Sequence, residues 1–167
     1  MKKVLDKIDS VVRYTGEMDK FFALALVLVM TQEVIRRYFF NAASIYGYDT
    51  AVMIGLTIYI LAWSYADLHN QHVRVDVLYL RQSPAVKAII DICGAVFFFF
   101  PFVAMLLYVS YGWMIKAWVT HEVRSETYWY PPAAPIRTVF FLGVVLFTLR
   151  GLVRFIRDVY TLRGKPL

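Results

Sequence analysis

Charge is scarce in this sequence, and so are the residues that build catalytic or metal centres. Only 18% of the 167 residues are Asp, Glu, Lys or Arg, against 60% hydrophobic and 17% aromatic. A soluble domain of that size could not hide so much apolar surface behind so few charges. Cys93 is the sole cysteine, which excludes an intrachain disulfide and leaves no cysteine cluster to ligate a metal. His69 and His72 fall in a polar loop at the expected membrane edge, and His121 belongs to the opposite face, so no pair is placed to ligate haem axially. No Gly-rich phosphate loop, nucleophile–base arrangement or paired-carboxylate motif occurs. Neither enzyme chemistry nor a cofactor is expected of this chain. The first apolar stretch lacks a small-residue cleavage motif and runs into Glu33-Val-Ile-Arg-Arg-Tyr38, so no cleavable signal peptide is expected.

What the sequence does have is four long apolar stretches, 21–40, 50–68, 88–115 and 138–157, and a mean hydropathy of +0.56. Crossing a hydrocarbon core of ~30 Å takes about 20 helical residues. The sequence therefore predicts an all-α integral membrane protein with four transmembrane helices forming one membrane domain over residues 1–167. The net charge of +6 is not spread as a nucleic-acid-binding surface would be. Lys and Arg gather before the first span, between the second and third, and after the fourth, whereas 41–49 has none and 118–136 has only Arg124. By the positive-inside rule both termini and the 69–87 loop face the cytoplasm.

Residues 1–20 read as an amphipathic helix lying in the membrane interface, with Val4, Leu5, Ile8, Val11 and Val12 on one stripe. In the 69–83 loop, Val73, Val75 and Val77 alternate with Arg74 and Asp76, the pattern of an extended or interface-lying segment. Ser83 and Pro84 have the form of a helix start. Pro101 lies inside the third span and is expected to kink it. Pro131, Pro132 and Pro135 make 118–136 the least regular part, and Trp113, Trp118, Tyr128, Trp129 and Tyr130 gather near the outer boundary, the headgroup level that amphipathic rings prefer. No internal repeat is present, which argues against an inverted-repeat transporter complete in one chain.

The charges near the membrane form two groups. Glu33 is followed by Arg36 and Arg37 at i+3 and i+4, a spacing that permits a structural ion pair offsetting the insertion cost; Asp49 is a further partner for them. Near the cytoplasmic face lie Asp67, Arg74, Asp76, Asp91 and Arg150. Arg150, Arg154 and Arg157 recur at helical spacing, and Arg150, the deepest, is expected to pair with Asp91 or Asp67.

Three segments resemble the small membrane subunit (DctQ-type) of tripartite ATP-independent periplasmic (TRAP) transporters. The first runs from Glu33 through Arg36, Arg37, Tyr38, Phe39 and Phe40 to Asn41. The second is the cytoplasmic His-x-Arg-Val-Asp segment, borne by His72, Arg74, Val75 and Asp76. The third comprises Glu122, Val123, Arg124 and Ser125, then Pro131, Pro132 and the stretch from Pro135 to Gly143. Many members carry an acidic pair after a Trp at the start of the second span, where this chain has Tyr46-Gly-Tyr-Asp49 with one acid.

The resemblance implies a scaffold subunit of a Na⁺-coupled importer in the bacterial inner membrane. A periplasmic binding protein would deliver an organic acid, and the large membrane subunit would hold the substrate and Na⁺ sites. It assigns Glu33, Arg36, Arg37, Asp67, His72, Arg74, Asp76, Asp91 and Arg150 to assembly and the structural charge network. Tyr46, Asp49, Glu122, Arg124 and Glu126 are its candidates for contact with the binding protein. Two other classes compete. A self-sufficient small multidrug-type proton-coupled exporter would use Glu33, although Arg36 and Arg37 beside it would repel cationic drugs. A membrane anchor of a respiratory enzyme would show a haem absorption band.

Overall fold

A computed structural model of the chain describes residues 2–69 and 82–164. Its helices are α1 (Lys2–Phe39), α2 (Gly47–Leu68), α3 (Pro84–Gly94), α4 (Phe100–Val119) and α5 (Ala134–Leu162), with a π-helical segment, Ala95–Phe99, joining α3 to α4. Three stretches, Gly47–Leu68, Ala85–Val119 and Ala134–Leu162, are long and apolar enough to cross a membrane. The all-helical expectation is met among the described residues. α1 does not satisfy the same condition, because Glu33, Arg36 and Arg37 fall within its apolar half.

The interfacial helix expected over residues 1–20 is not a separate element. Residues 2–39 wind without a break, and of the apolar stripe Leu5 and Val12 are buried in the bundle while Val4 and Val11 stay exposed. Nothing between the two halves interrupts the helical ladder, and the Asp6 and Asp9 side chains of the first half bind Arg157 of α5.

α5 is the helix on which the rest is assembled, packing against α1, α2, α3 and α4, while α1 lies mainly along α2. Rings interlock along it: Phe147 meets Trp63 and Phe99 at 5.8 and 5.2 Å between centroids, Phe155 meets Phe100 at 5.2 Å, and Phe141 meets Tyr111 at 5.8 Å. Such edge-on and tilted pairs add specificity to the area they bury. The backbones of α2 and α5 approach closely where Gly143 faces Ile60, and a Cβ at 143 would overlap that side chain.

The helix ends follow from local chemistry. Ser83 accepts a hydrogen bond from the Val86 amide at 3.4 Å and Pro84 opens α3, as its sequence predicts. α1 closes with the Ala42 amide on the Arg36 carbonyl at 3.1 Å, and Asn41 between them adopts φ 51°. α4 closes on a shorter span, with the Glu122 amide on the Ala117 carbonyl five residues back at 3.2 Å and His121 at φ 48°. The α4 end is a terminator of the Schellman type, and the α1 end, closing six residues back, is a wider left-handed turn in which Asn is tolerated. His121 thus has a backbone role. Pro101 acts through its surroundings: it offers no amide to the helix behind it, and the ladder widens just before it, the Phe100 amide bonding to Ala95 five residues back.

Asn41 should therefore tolerate Gly and reject β-branched residues. Asn41→Val is expected to lower stability by about 1–2 kcal/mol, the order of the left-handed penalty for an L side chain, while Asn41→Gly stays within a few tenths. Thermal unfolding of the purified variants in detergent measures both.

Candidate functional site

Buried charge is concentrated at the two ends of the helices. Asp49 and Asp67 of α2 are 0% and 6% exposed. They stand 67 − 49 = 18 positions apart, about 27 Å of helix at ~1.5 Å per residue, close to a hydrocarbon thickness. Residues 50–66 between them carry no charge, nor do 92–115 or 138–149. One layer lies at the end bearing the 40–46 and 120–133 connections (the loop end), the other at the end bearing the termini.

At the loop end, Glu33 accepts hydrogen bonds from the Ser44 hydroxyl and, at 3.2 Å, the Ser44 amide, with Arg37 3.8 Å away. The Ser44 hydroxyl in turn receives the Gly47 amide that begins α2. Arg36 donates to the Tyr46 hydroxyl at 2.7 Å and lies over its ring, and that ring packs edge-on against Trp129. This first-span signature is thus a clamp on the α1–α2 turn. Asp49 does not join Glu33 or Arg36 as the sequence led us to expect. It accepts from Arg124 at 3.0 Å and from the Thr127 hydroxyl, which anchors the long loop to α2 from 75 residues away. Being fully buried, Asp49 is withdrawn from any docking surface.

The same loop is fixed at its base. Val123 and Pro132 form an isolated antiparallel bridge, the Arg124 amide bonds to the Pro131 carbonyl and the Ala133 amide to the Glu122 carbonyl, each at 2.8 Å. Arg137, one turn into α5, holds Glu122 through two bonds of 2.8 and 2.5 Å and lies over the Trp113 ring. The Arg137 bond lowers the Glu122 carboxyl below its ordinary range, against some desolvation, and the charges of Arg137 and Lys116 lower it further. Of the residues considered for docking, Glu126 is the most open, half exposed and 3.4 Å from Arg124. Tyr46 is occupied with Arg36, and Arg124 with Asp49 and Glu126.

At the terminal end, three arginines on one face of α5 interleave with four aspartates. Arg150 Nε lies 3.4 Å from Asp67 and 3.7 Å from Asp9. Arg154 bridges Asp67 at 2.9 Å and Asp91 at 3.4 Å. Arg157 bridges Asp9 at 2.7 Å and Asp6 at 3.3 Å. The expected Arg150–Asp67 contact is present, whereas Asp91 faces Arg154 and not Arg150. Through these contacts α1, α2 and α3 are each tied to α5. His72, Arg74 and Asp76 lie outside the described residues.

Sequence reasoning missed Asp6, Asp9, Ser44, Thr127 and the Glu122–Arg137 pair. The i, i+4, i+7 spacing of the α5 arginines and the i, i+3 spacing of Asp6 and Asp9 were the available signals. The loop contacts span 75 and 78 residues and have no periodic signature. The two layers order helices and turns; among the described residues the fully buried Asp49, Asp67 and Arg150 face opposite charges of the same chain, whereas Asp19 of α1, half-buried, encloses one carboxylate oxygen without a hydrogen-bond partner.

Removing one member of such a buried set leaves the others uncompensated. Arg150→Met is expected to lower stability by about 3–5 kcal/mol, and adding Asp67→Leu should restore part of it, read as melting temperature in detergent. At the loop end the Glu122 shift has a definite sign. A carboxyl lowered on folding contributes stability that is full above its unfolded value and fades as pH falls through the lower folded one. The parent should therefore lose stability relative to Glu122→Gln between about pH 5 and pH 3, and melting curves across that interval would show the two converging.

Comparison with known proteins gives the arrangement its context. No curated protein matches the sequence significantly. A family model does, over residues 26–161, which takes in the Arg36–Asn41 clamp, the 120–133 loop and the α5 arginines. The chain belongs to the DctQ component family of tripartite ATP-independent periplasmic transporters.

Proposed function

We propose that the chain is the small, non-catalytic membrane subunit of a Na⁺-coupled TRAP importer, bracing the large membrane subunit that takes up an organic acid from a periplasmic binding protein. α1 serves as a fourth span, both termini are cytoplasmic, and the loop end faces the periplasm. The Lys and Arg distribution supports this orientation, being dense at the terminal end and sparse in 41–49 and 118–136.

One observation carries the reading. Among the described residues the fully buried ionisable groups, Asp49, Asp67 and Arg150, are grouped at the two ends of the helices and paired within the chain, and the other fully buried polar residues, Ser64 and Ser110, are small hydroxyls. A solute path needs polar groups lining the middle of the bilayer, and α2, α4 and α5 are uncharged there. Glu33 is held by Ser44 and Arg37, in the role of a turn clamp rather than of a proton-exchange site. α1 adds a second support. Its exposed side carries Lys20, Gln32 and Arg37 among aliphatic and aromatic residues, a surface better suited to a protein neighbour than to lipid all round. Na⁺ and substrate sites then belong to the large subunit.

The test is a mild-detergent pull-down followed by uptake in proteoliposomes. A larger, many-spanning protein should co-purify, and Na⁺-driven uptake should need that protein, this chain and the binding protein together. Arg74→Glu or Asp76→Lys should reduce complex yield and uptake in parallel. Transport by this chain alone would overturn the proposal.

A further inference from the structure

Two polar groups inside the apolar slab have no partner within the described residues. One is the carboxylate of Asp19 on α1: its Oδ1 is enclosed without a donor, and no cation pairs with it. The other is the hydroxyl of Tyr59 on α2, a side chain 73% exposed and likewise without a hydrogen bond. Depth makes both unfavourable. α1 and α2 run antiparallel, with Gly16 against Tyr65 and Glu33 against Gly47, so Asp19 is level with about position 62 of α2. That is 67 − 62 = 5 positions inside Asp67, about 7 Å into the slab. Tyr59 is one position from the midpoint between Asp49 and Asp67. Lipid tails supply neither a counter-charge nor a hydrogen bond there.

Helical spacing places both groups on one side of the α1–α2 pair. On α1, Gly16 meets α2, while Asp6 and Asp9 meet Arg157 of α5. At about 100° per residue, Asp9 and Asp6 are turned from Gly16 in one sense and Asp19 in the other, away from α5. On α2, Tyr65 faces α1 and Ile60 faces Gly143 of α5. The buried Ser64 lies in the narrower arc between those two directions, and the exposed Tyr59 in the wider one. Asp19 and Tyr59 therefore flank a groove on the side turned from α5. Its floor is small: Gly55, Ala62 and Ala66 stand four before, three after and seven after Tyr59, spacings that share a helix face. A Cβ added at Gly55 would meet nothing within 4 Å. Small residues let a neighbouring helix backbone come close, and polar groups bind across such a contact.

We propose that this groove seats a transmembrane helix of the large membrane subunit, with a Lys or Arg of that helix paired to Asp19. A hydrogen-bonding side chain about one turn farther along the same helix meets the Tyr59 hydroxyl. The charge of Asp19 selects a basic partner, and the depth of both groups selects a membrane helix over a soluble protein. The assignment rests on the small-subunit reading above and adds to it the face of contact.

Co-expression with the large membrane subunit, followed by purification in mild detergent, tests it. Gly55→Leu fills the groove without touching its own chain, so the isolated variant should melt as the parent does while co-purified large subunit falls at least about tenfold. Asp19→Leu should lower that yield about fivefold to tenfold, the scale of one polar contact between membrane helices. It should not lower the melting temperature of the isolated chain, because no internal pair is broken. A photo-reactive phenylalanine at position 59 should cross-link to the large subunit, next to a helix carrying Lys or Arg. If the large subunit fails to co-purify even with the parent, the small-subunit reading falls and the groove assignment with it. If it co-purifies with the parent and undiminished with both variants, the groove assignment alone is overturned. Capture of lipid from position 59, or a lowered melting temperature for isolated Asp19→Leu, overturns it equally.

Discussion

An ionised side chain placed in hydrocarbon without a partner costs several kcal/mol, and this constraint shapes the whole molecule. The chain does not avoid the cost by exiling its charges. It places Asp49, Asp67 and Arg150 fully inside the bundle and surrounds each with opposite charge from distant parts of the sequence. Asp49 draws in the loop through Arg124, and Asp67 is met by Arg150 and Arg154. Because each pair is secure only when both helices are in place, the charges specify how the helices sit against one another in a medium where apolar burial gives little direction. That is the property a bracing subunit requires, and the membership in the DctQ family gives it a setting.

Aliphatic packing does the rest with modest means. Few large side chains are fully buried, Ile60, Val12, Val103, Val144 and Val153 among them, and much of the aromatic surface points outward. Contact between helices depends on close approach, as at Gly143 and Ile60, and on rings interlocked along α5. A thin interior of this kind suits a component whose outer surface is to be covered by lipid and by another membrane protein.

Much of this was legible in the residues themselves. Apolar runs of span length marked α2, α3–α4 and α5, and Ser83-Pro84 marked the start of α3, because these depend on composition and local geometry. Asn41 ends the segment that starts at Glu33, and its left-handed backbone is where α1 gives way to a turn. The Arg150–Asp67 contact was within reach because helical spacing puts both at the same depth. The fate of Asp49 was not, since its partner arrives on a loop whose path is set by Pro132, Val123 and Arg137 acting together. The first 20 residues were legible as an amphipathic helix but not as the start of α1, because their contacts with α5 through Asp6 and Asp9, and the burial of Leu5 and Val12 beside exposed Val4 and Val11, depend on a helix far along the chain.

The widened turn at Ala95–Phe99 has a further consequence for the longest span. Relative to regular winding it adds one residue, and one residue is about 100° of rotation. The two halves of that span are thereby set out of phase: α3 directs Asp91 to Arg154, while α4 turns Val103 and Ser110 inward. A uniform helix through the same residues could orient one half correctly only by swinging the other away. The surplus residue is a phase shifter, letting a single rod answer to polar neighbours at one end and greasy ones farther along.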